Sequence, residues 1–137
     1  MTAYRLKTLK SWGMSTIKFT VATEPVPFKR ALSNGKRRFN DSRYSDFKNV
    51  IGLHAKLAMQ GRAPLTDAVK ITVVVSTKYK PTSLRAGDID NHLKAVMDAL
   101  NGICFADDRQ IVDGRVLLFR GDPHIEIELE ELNHVDD

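Results

Sequence analysis

Acidic side chains and one lysine are spaced for metal chemistry between residues 88 and 108. Asp88 and Asp90 precede Lys94, and the adjacent pair Asp107-Asp108 follows further along the chain. Carboxylate oxygens are hard ligands, and Mg²⁺ is usually held by one or two of them together with substrate phosphates. Carboxylates that share a site repel one another unless a cation neutralises them. The segment therefore predicts a magnesium site at which a phosphodiester bond is cut.

A metal mechanism gives each of these groups a task. We expect Asp88, Asp90 and Asp108 to bind Mg²⁺ directly or through water, where the ion polarises the phosphoryl oxygen and activates a water molecule. Lys94 is expected to stabilise the negative charge of the transition state. Two further polar residues of the same segment are expected to orient these groups, namely Asn91 and Asp98.

Each acidic residue also has a purely structural explanation. Asp88 could cap the N-terminus of a helix. Asp90 could form an i,i+4 ion pair with Lys94, worth about 0.3–0.5 kcal/mol. Asp107 and Asp108 could form a turn before a strand. Under these explanations the chain would be a protein that binds DNA structures without metal and does not cut them.

The charge distribution favours nucleic acid as the partner. The formal net charge is +4, but residues 1–62 hold 13 Lys/Arg and 3 Asp/Glu, whereas residues 63–137 hold 8 and 14. A basic half is typical of proteins that bind nucleic acid, although it could also be an ordinary solvated surface. The basic residues that we expect to contact DNA lie in and beside two loops: Lys29, Arg30, Lys36, Arg37, Arg38, Arg43, Lys78, Lys80 and Arg85.

Length and composition indicate one compact domain. The chain has 137 residues, of which 42% are hydrophobic, enough for a core. It has neither the apolar run of about 18 residues that a membrane helix needs nor a signal-peptide pattern. Cys104 is the only cysteine, which fits the cytoplasm, and it is expected to be a core residue. Residues 1–14 are expected to be a flexible extension of a domain that spans residues 15–137.

The hydrophobic pattern predicts an α/β (α+β-like) fold with the order β-α-β-α-β-β and a mixed sheet. Strands are predicted at 17–23, 69–76, 111–119 and 124–132, and helices at 44–60 and 90–101. The last strand is predicted to be antiparallel, with its glutamates outward. On the second helix, the predicted core stripe consists of Ile89, Leu93, Val96, Met97 and Leu100. His92 is predicted to lie on the surface.

The order of these residues resembles a known family. The motif Asp88-Ile-Asp90-Asn91-x-x-Lys94-x-x-x-Asp98-Ala-Leu, followed by Asp107-Asp108-x-Gln110-Ile-Val, is similar to that of the RusA Holliday-junction resolvases. These are small endonucleases of bacteria and their phages. The resemblance covers about residues 70–131, and it places the metal-binding acids of the family on Asp88, Asp90 and Asp108 and its catalytic lysine on Lys94.

The resemblance also implies how such a protein works. It implies a homodimer that binds four-way DNA junctions and nicks two strands symmetrically with Mg²⁺ or Mn²⁺, in the cytoplasm of a bacterium or of a phage-infected cell. Asn91, Asp98, Asp107 and Gln110 also match the pattern, and we expect Asp107 to support the metal-binding acids. A nuclease with a broader range of branched DNA substrates remains an alternative.

Overall fold

A computed structural model describes residues 16–29 and 42–132. The six main elements follow in the predicted order, and their ends differ from the predicted ones by at most two residues. Short 3-10 helices, Leu84–Ala86 and Asp108–Gln110, precede the second helix and the third strand. The main elements are β1 (Thr16–Val21), α1 (Ser42–Met59), β2 (Ala68–Thr77), α2 (Ile89–Leu100), β3 (Ile111–Arg120) and β4 (His124–Leu132).

The four strands form one mixed sheet, as predicted, and they lie in the order β1-β4-β2-β3. Strands β2 and β3 are parallel, whereas β4 runs antiparallel to both of its neighbours. A parallel pair needs a crossover connection, which α2 supplies between β2 and β3. The expected extension at residues 1–14 lies outside the described residues.

One face of the sheet carries the core, and both helices pack on it. Alternation turns one side of each central strand inward: the buried residues are Val69, Ile71, Val73 and Val75 of β2 and Ile125, Ile127 and Leu129 of β4. They join residues of both helices in one hydrophobic cluster. Burial of Cys104 there raises the pKa of its thiol to about 11, so it is a core residue as predicted. None of the described helices has the length and apolar character of a membrane span.

Helix α2 is rotated relative to the predicted stripe. Val96 and Leu100 are buried as predicted, but Ile89 is 51% exposed and His92 is buried, so both of those predictions were wrong. The small residues Ala95 and Ala99 are also buried. A hydropathy pattern gives most weight to large apolar residues, whereas the contact between two helices favours small ones. Close packing against α1 therefore decides which side of α2 is buried.

Candidate active site

A tight turn positions the start of α2. Ser83 begins the short helix before it, since its hydroxyl accepts a hydrogen bond from the backbone N–H of Arg85 (3.0 Å). Gly87 then adopts a φ of +81°. A Cβ atom at this position would lie 2.8 Å from Pro27 Cγ and 2.9 Å from His92 Nε2. Only glycine fits here, and it lets the chain turn directly into Asp88.

His92 fixes this turn from inside. Its Nε2–H donates a hydrogen bond to the carbonyl of Ala86 (2.6 Å), and the side chain is buried. Burial lowers the pKa of His92, while the bond to Ala86 and the charge of Asp88 oppose that shift. The residue therefore joins the first turn of α2 to the preceding loop. Its position next to Ala95 and Val96 on the helix surface was the signal that the sequence analysis missed.

Asp88 and Asp90 lie at the start of α2, where their carboxylates make no capping hydrogen bond and no ion pair with the described residues. Asp88 is the N-cap residue, with extended backbone (φ −89°, ψ 147°), but its side chain makes no capping hydrogen bond. Asp90 is exposed in the first turn, and no ion pair joins it to Lys94, whose carboxylate partner in the described chain is Asp98. The ion-pair explanation for Asp90 is therefore wrong, and Asp88 occupies the N-cap position as its structural explanation requires but without the capping bond. Their carboxylates remain available for a cation.

Lys94 is held from two sides. Its Nζ lies 3.5 Å from Asp98 Oδ1 and 4.8 Å from the centre of the Phe28 ring. The hydroxyl of Tyr44, on α1, donates to Asp98 Oδ2 (3.0 Å), and burial together with Asp98 raises the pKa of Tyr44. Among the described residues, Asp98 therefore contacts Lys94, one of the groups that it was expected to orient, and Tyr44.

The segment after β1 completes this arrangement. The backbone N–H of Phe28 donates to the carbonyl of Asn91 (3.0 Å), and the Phe28 ring meets Tyr44 edge to face at 5.9 Å. Phe28 and Tyr44 are thus packed against the core. The contact of Asn91 is made by its backbone, and it anchors Phe28 beside Lys94.

The Asp107-Asp108 turn is built by Gln110. Its Oε1 accepts from the N–H of Asp107 (2.9 Å), and its Nε2 donates to the carbonyls of Leu65 (2.8 Å) and Asp67 (2.9 Å). Asp107 accepts from the N–H of Arg109 (2.9 Å), which is the main cause of its lowered pKa. The turn explanation therefore holds for Asp107, whose carboxylate caps the short helix in which Asp108 stands.

The three proposed metal ligands come from two places in the fold. Asp88 and Asp90 belong to the start of α2, whereas the turn of Asp108 is anchored to the chain that enters β2. Within residues 16–29 and 42–132, no three His, Cys, Asp or Glu side chains are close enough to hold a metal ion between them. The donor chemistry nevertheless fits Mg²⁺, which needs one or two carboxylates and takes water and substrate phosphate as its other ligands.

The predicted DNA-binding residues are only partly described. Lys78 and Arg85 flank the ring of Tyr79, at 5.4 and 6.0 Å from its centre, in the loop that leads to Asp88. Lys29, Lys80 and Arg43 are exposed. The other predicted contacts lie outside the described residues: Arg30, Lys36, Arg37 and Arg38.

Known proteins resemble this chain in sequence. The model of the family described as Endodeoxyribonuclease RusA matches residues 22–130, a range that contains all of the acids discussed above. A Bacillus subtilis (strain 168) protein named uncharacterized protein YqaN is 33% identical over 144 residues, which cover 88% of this chain and 99% of that protein.

Proposed function

The chain belongs to the RusA family of endodeoxyribonucleases, and we propose from this premise that it resolves four-way DNA junctions in a Mg²⁺-dependent reaction. One observation carries the proposal: among the described residues, the carboxylates of Asp88 and Asp90 make no capping hydrogen bond and no ion pair, and they lie at the start of the helix whose Lys94 is held by Asp98 and Phe28. Mn²⁺ is the expected substitute for Mg²⁺. The expected setting is DNA recombination and repair in the cytoplasm of a bacterium or of a phage-infected cell.

The residues of this chain divide the chemistry between them. Asp88, Asp90 and Asp108 would hold the Mg²⁺ ion. When bound, the ion supplies Lewis-acid polarisation of the phosphoryl oxygen and lowers the pKa of water. Lys94 donates hydrogen bonds to the phosphoryl oxygens as negative charge builds up on them. Because Asp98 and Phe28 already fix its ammonium group, little reorganisation is needed during the reaction.

We further propose that the active form is a homodimer. A four-way junction has approximate two-fold symmetry, and a closed two-fold dimer presents two copies of each surface in matching orientations. Two sites on such a dimer would give one nick in each of two opposite strands.

The test is a cleavage assay on three labelled substrates: a four-way junction, a flap and a linear duplex, each with Mg²⁺ and with EDTA. The proteins compared are the wild type, Asp90→Asn, and Asp46→Asn as a control that removes an exposed carboxylate from α1. We expect paired nicks on the junction alone. These should be lost with EDTA or Asp90→Asn and retained with Asp46→Asn, while Asp90→Asn still binds the junction.

The other outcomes separate the alternatives. Cutting of all three substrates would instead indicate a nuclease of broader specificity. Binding of the junction without any metal-dependent cutting would indicate a DNA-binding protein. If Asp90→Asn cuts at the wild-type rate, the assignment of the site to the start of α2 is wrong.

A further inference from the structure

An open groove of about 470 Å³ lies between α1 and the C-terminal part of α2. Its floor lies where the two helices pack closely: Gly52 and Ala99 line it, and a Cβ atom at Gly52 would lie 3.3 Å from Ile103 Cδ1 and 3.7 Å from the carbonyl oxygen of Ala99. Leu53 and Ile103 also line it, and Leu53 is 58% exposed. The groove thus offers an apolar surface that faces solvent.

Two lysines flank this apolar floor. Lys48 and Lys56 line the groove and are eight residues apart on α1, so their Cα atoms are separated by about 12 Å along the helix axis. A DNA strand carries about one phosphate per 3.4 Å of duplex axis, so this distance spans about three or four phosphates. Lys48 Nζ lies 5.1 Å from the centre of the Tyr44 ring. Lys56 pairs with no carboxylate of the described chain.

The groove is continuous with the candidate active site. Asp98 is the only acidic residue among its lining residues, and its carboxylate already contacts Lys94 and Tyr44. The groove therefore has a positive balance of charge and begins at the residue that holds Lys94. A DNA strand whose phosphate contacts Lys94 would have its neighbouring nucleotides next to this groove.

We propose that this groove binds the sugar-phosphate backbone of the cut DNA strand beside the scissile phosphate. This inference rests on the proposed function, because that function supplies the DNA substrate. Lys48 and Lys56 would contact phosphates, for which the lysine ammonium is a suitable point charge. The apolar side chains of Leu53 and Ile103, which line the groove, would contact the less polar face of a deoxyribose. None of these four residues is among the DNA contacts that were predicted from the basic loops of the sequence.

The first test measures DNA affinity without cutting. Binding of a labelled four-way junction in EDTA would be followed over a range of salt concentrations for Lys56→Gln, Lys48→Gln and the double variant. The slope of log K against log salt is negative, and each lost phosphate contact should make it less steep by about 0.9. The matched control is Lys18→Gln, because Lys18 is an exposed lysine of β1, next to β4, at the edge of the sheet. Its slope should equal that of the wild type.

The second test locates the contact. Junctions would carry one uncharged methylphosphonate at successive positions beside the cut site. Neutralising the phosphate that meets Lys56 should weaken binding by the wild type and leave Lys56→Gln unaffected, since the two changes remove the same interaction. Lys18→Gln should respond to the methylphosphonates as the wild type does.

The outcomes distinguish the two proposals. If the wild type binds junctions while the lysine variants keep its salt slope and its methylphosphonate pattern, the groove is not a DNA site, and a protein partner becomes its candidate ligand. If the wild type binds no DNA, the proposed function itself fails. Thermal unfolding of each variant checks that the fold is intact, and Lys56→Gln removes only an exposed side chain.

Discussion

The ammonium group of Lys94 depends on a residue 50 positions earlier in the chain. Lys94 is four residues from both Asp90 and Asp98, so helix geometry alone permits either ion pair. Tyr44 decides between them, because its hydroxyl donates to Asp98 Oδ2 and fixes that carboxylate beside the lysine. Asp90 is thereby left without an ion pair to Lys94, which suits the metal-binding role that we propose for it. The lysine and the acids could be found from their spacing, but this choice of partner could not.

Tyr44→Phe should therefore impair cutting more than binding. The change removes one hydrogen bond to a carboxylate and keeps the ring that contacts Phe28 and Lys48. We expect cleavage under single-turnover conditions to slow tenfold or more, with little change in the Kd for the junction. A hydrogen bond to a charged group is worth about 1.5–3 kcal/mol, and about 1.4 kcal/mol corresponds to a factor of ten in rate.

Tyr79→Phe is the matched control, because no hydrogen bond of the Tyr79 hydroxyl is found in the described chain. Its cleavage rate should stay near that of the wild type. An equal loss of rate in both variants, or a loss of binding alone in Tyr44→Phe, would contradict the role given to Tyr44.

At the scale of elements, packing decides which side of α2 faces the core. The periodic pattern located the helix to within one residue, but it placed Ile89 inside and His92 outside. The actual orientation follows from the bond of His92 to Ala86 in the preceding loop and from contacts with Pro27 and α1, which are distant in the chain. Gly52 shows the same effect on α1, where a glycine rather than a large apolar residue marks the contact between helices.

Gly87→Ala should destabilise the fold and reduce cutting. Gly87 has a φ of +81° and a ψ of 164°, a backbone region in which alanine costs about 1–3 kcal/mol. The alanine Cβ would also meet Pro27 and His92 at under 3.0 Å, which adds about 1–3 kcal/mol. Because these contacts set the direction of the chain at Asp88, the cleavage rate should fall as well. The free energy of unfolding and the rate can both be measured on the same preparation.

Gly61→Ala provides the control for backbone strain. Gly61 has a similar φ of +79°, but no atom lies within 4 Å of the position of its Cβ. Gly61→Ala should lose only the part of the free energy of unfolding that comes from backbone strain, and it should keep the wild-type cleavage rate. If both variants lost the same free energy of unfolding, the close contacts of Pro27 and His92 around Gly87 would not contribute to the cost.

At the scale of the whole molecule, stability should depend on pH through His92. Its pKa is lowered in the folded protein, so the unfolded chain binds more protons once the pH falls below its ordinary pKa of about 6.5. The free energy of unfolding should therefore decrease as the pH falls through this range. His124 has a raised pKa, owing first to the carbonyl of Asp122, and its contribution has the opposite sign.

Urea unfolding of the wild type and His92→Gln between pH 8 and pH 5 separates the two histidines. Glutamine can still donate to the Ala86 carbonyl but does not titrate. The stability of His92→Gln should fall less on acidification than that of the wild type. Parallel curves would show that His92 does not carry this pH dependence.

The fold class followed from the sequence, whereas the order of the strands did not. Alternating residues predicted the inward and outward sides of β4 and its antiparallel direction, and both are confirmed. Alternation says nothing about which strands become neighbours, because that depends on contacts between distant parts of the chain. The position of β4 between β1 and β2 could therefore only be seen in the structure.

This strand order determines the stage of translation at which the protein can first fold. On the ribosome, β1 and β2 emerge early but have no common edge, because Ile127 of β4 pairs with Phe19 on one side and with Val73 on the other. Until the last strand has left the exit tunnel, the two halves of the sheet stay separate and the helices lack a complete surface to pack on. A partly made chain that still lacks β4 is therefore expected to have no nuclease activity.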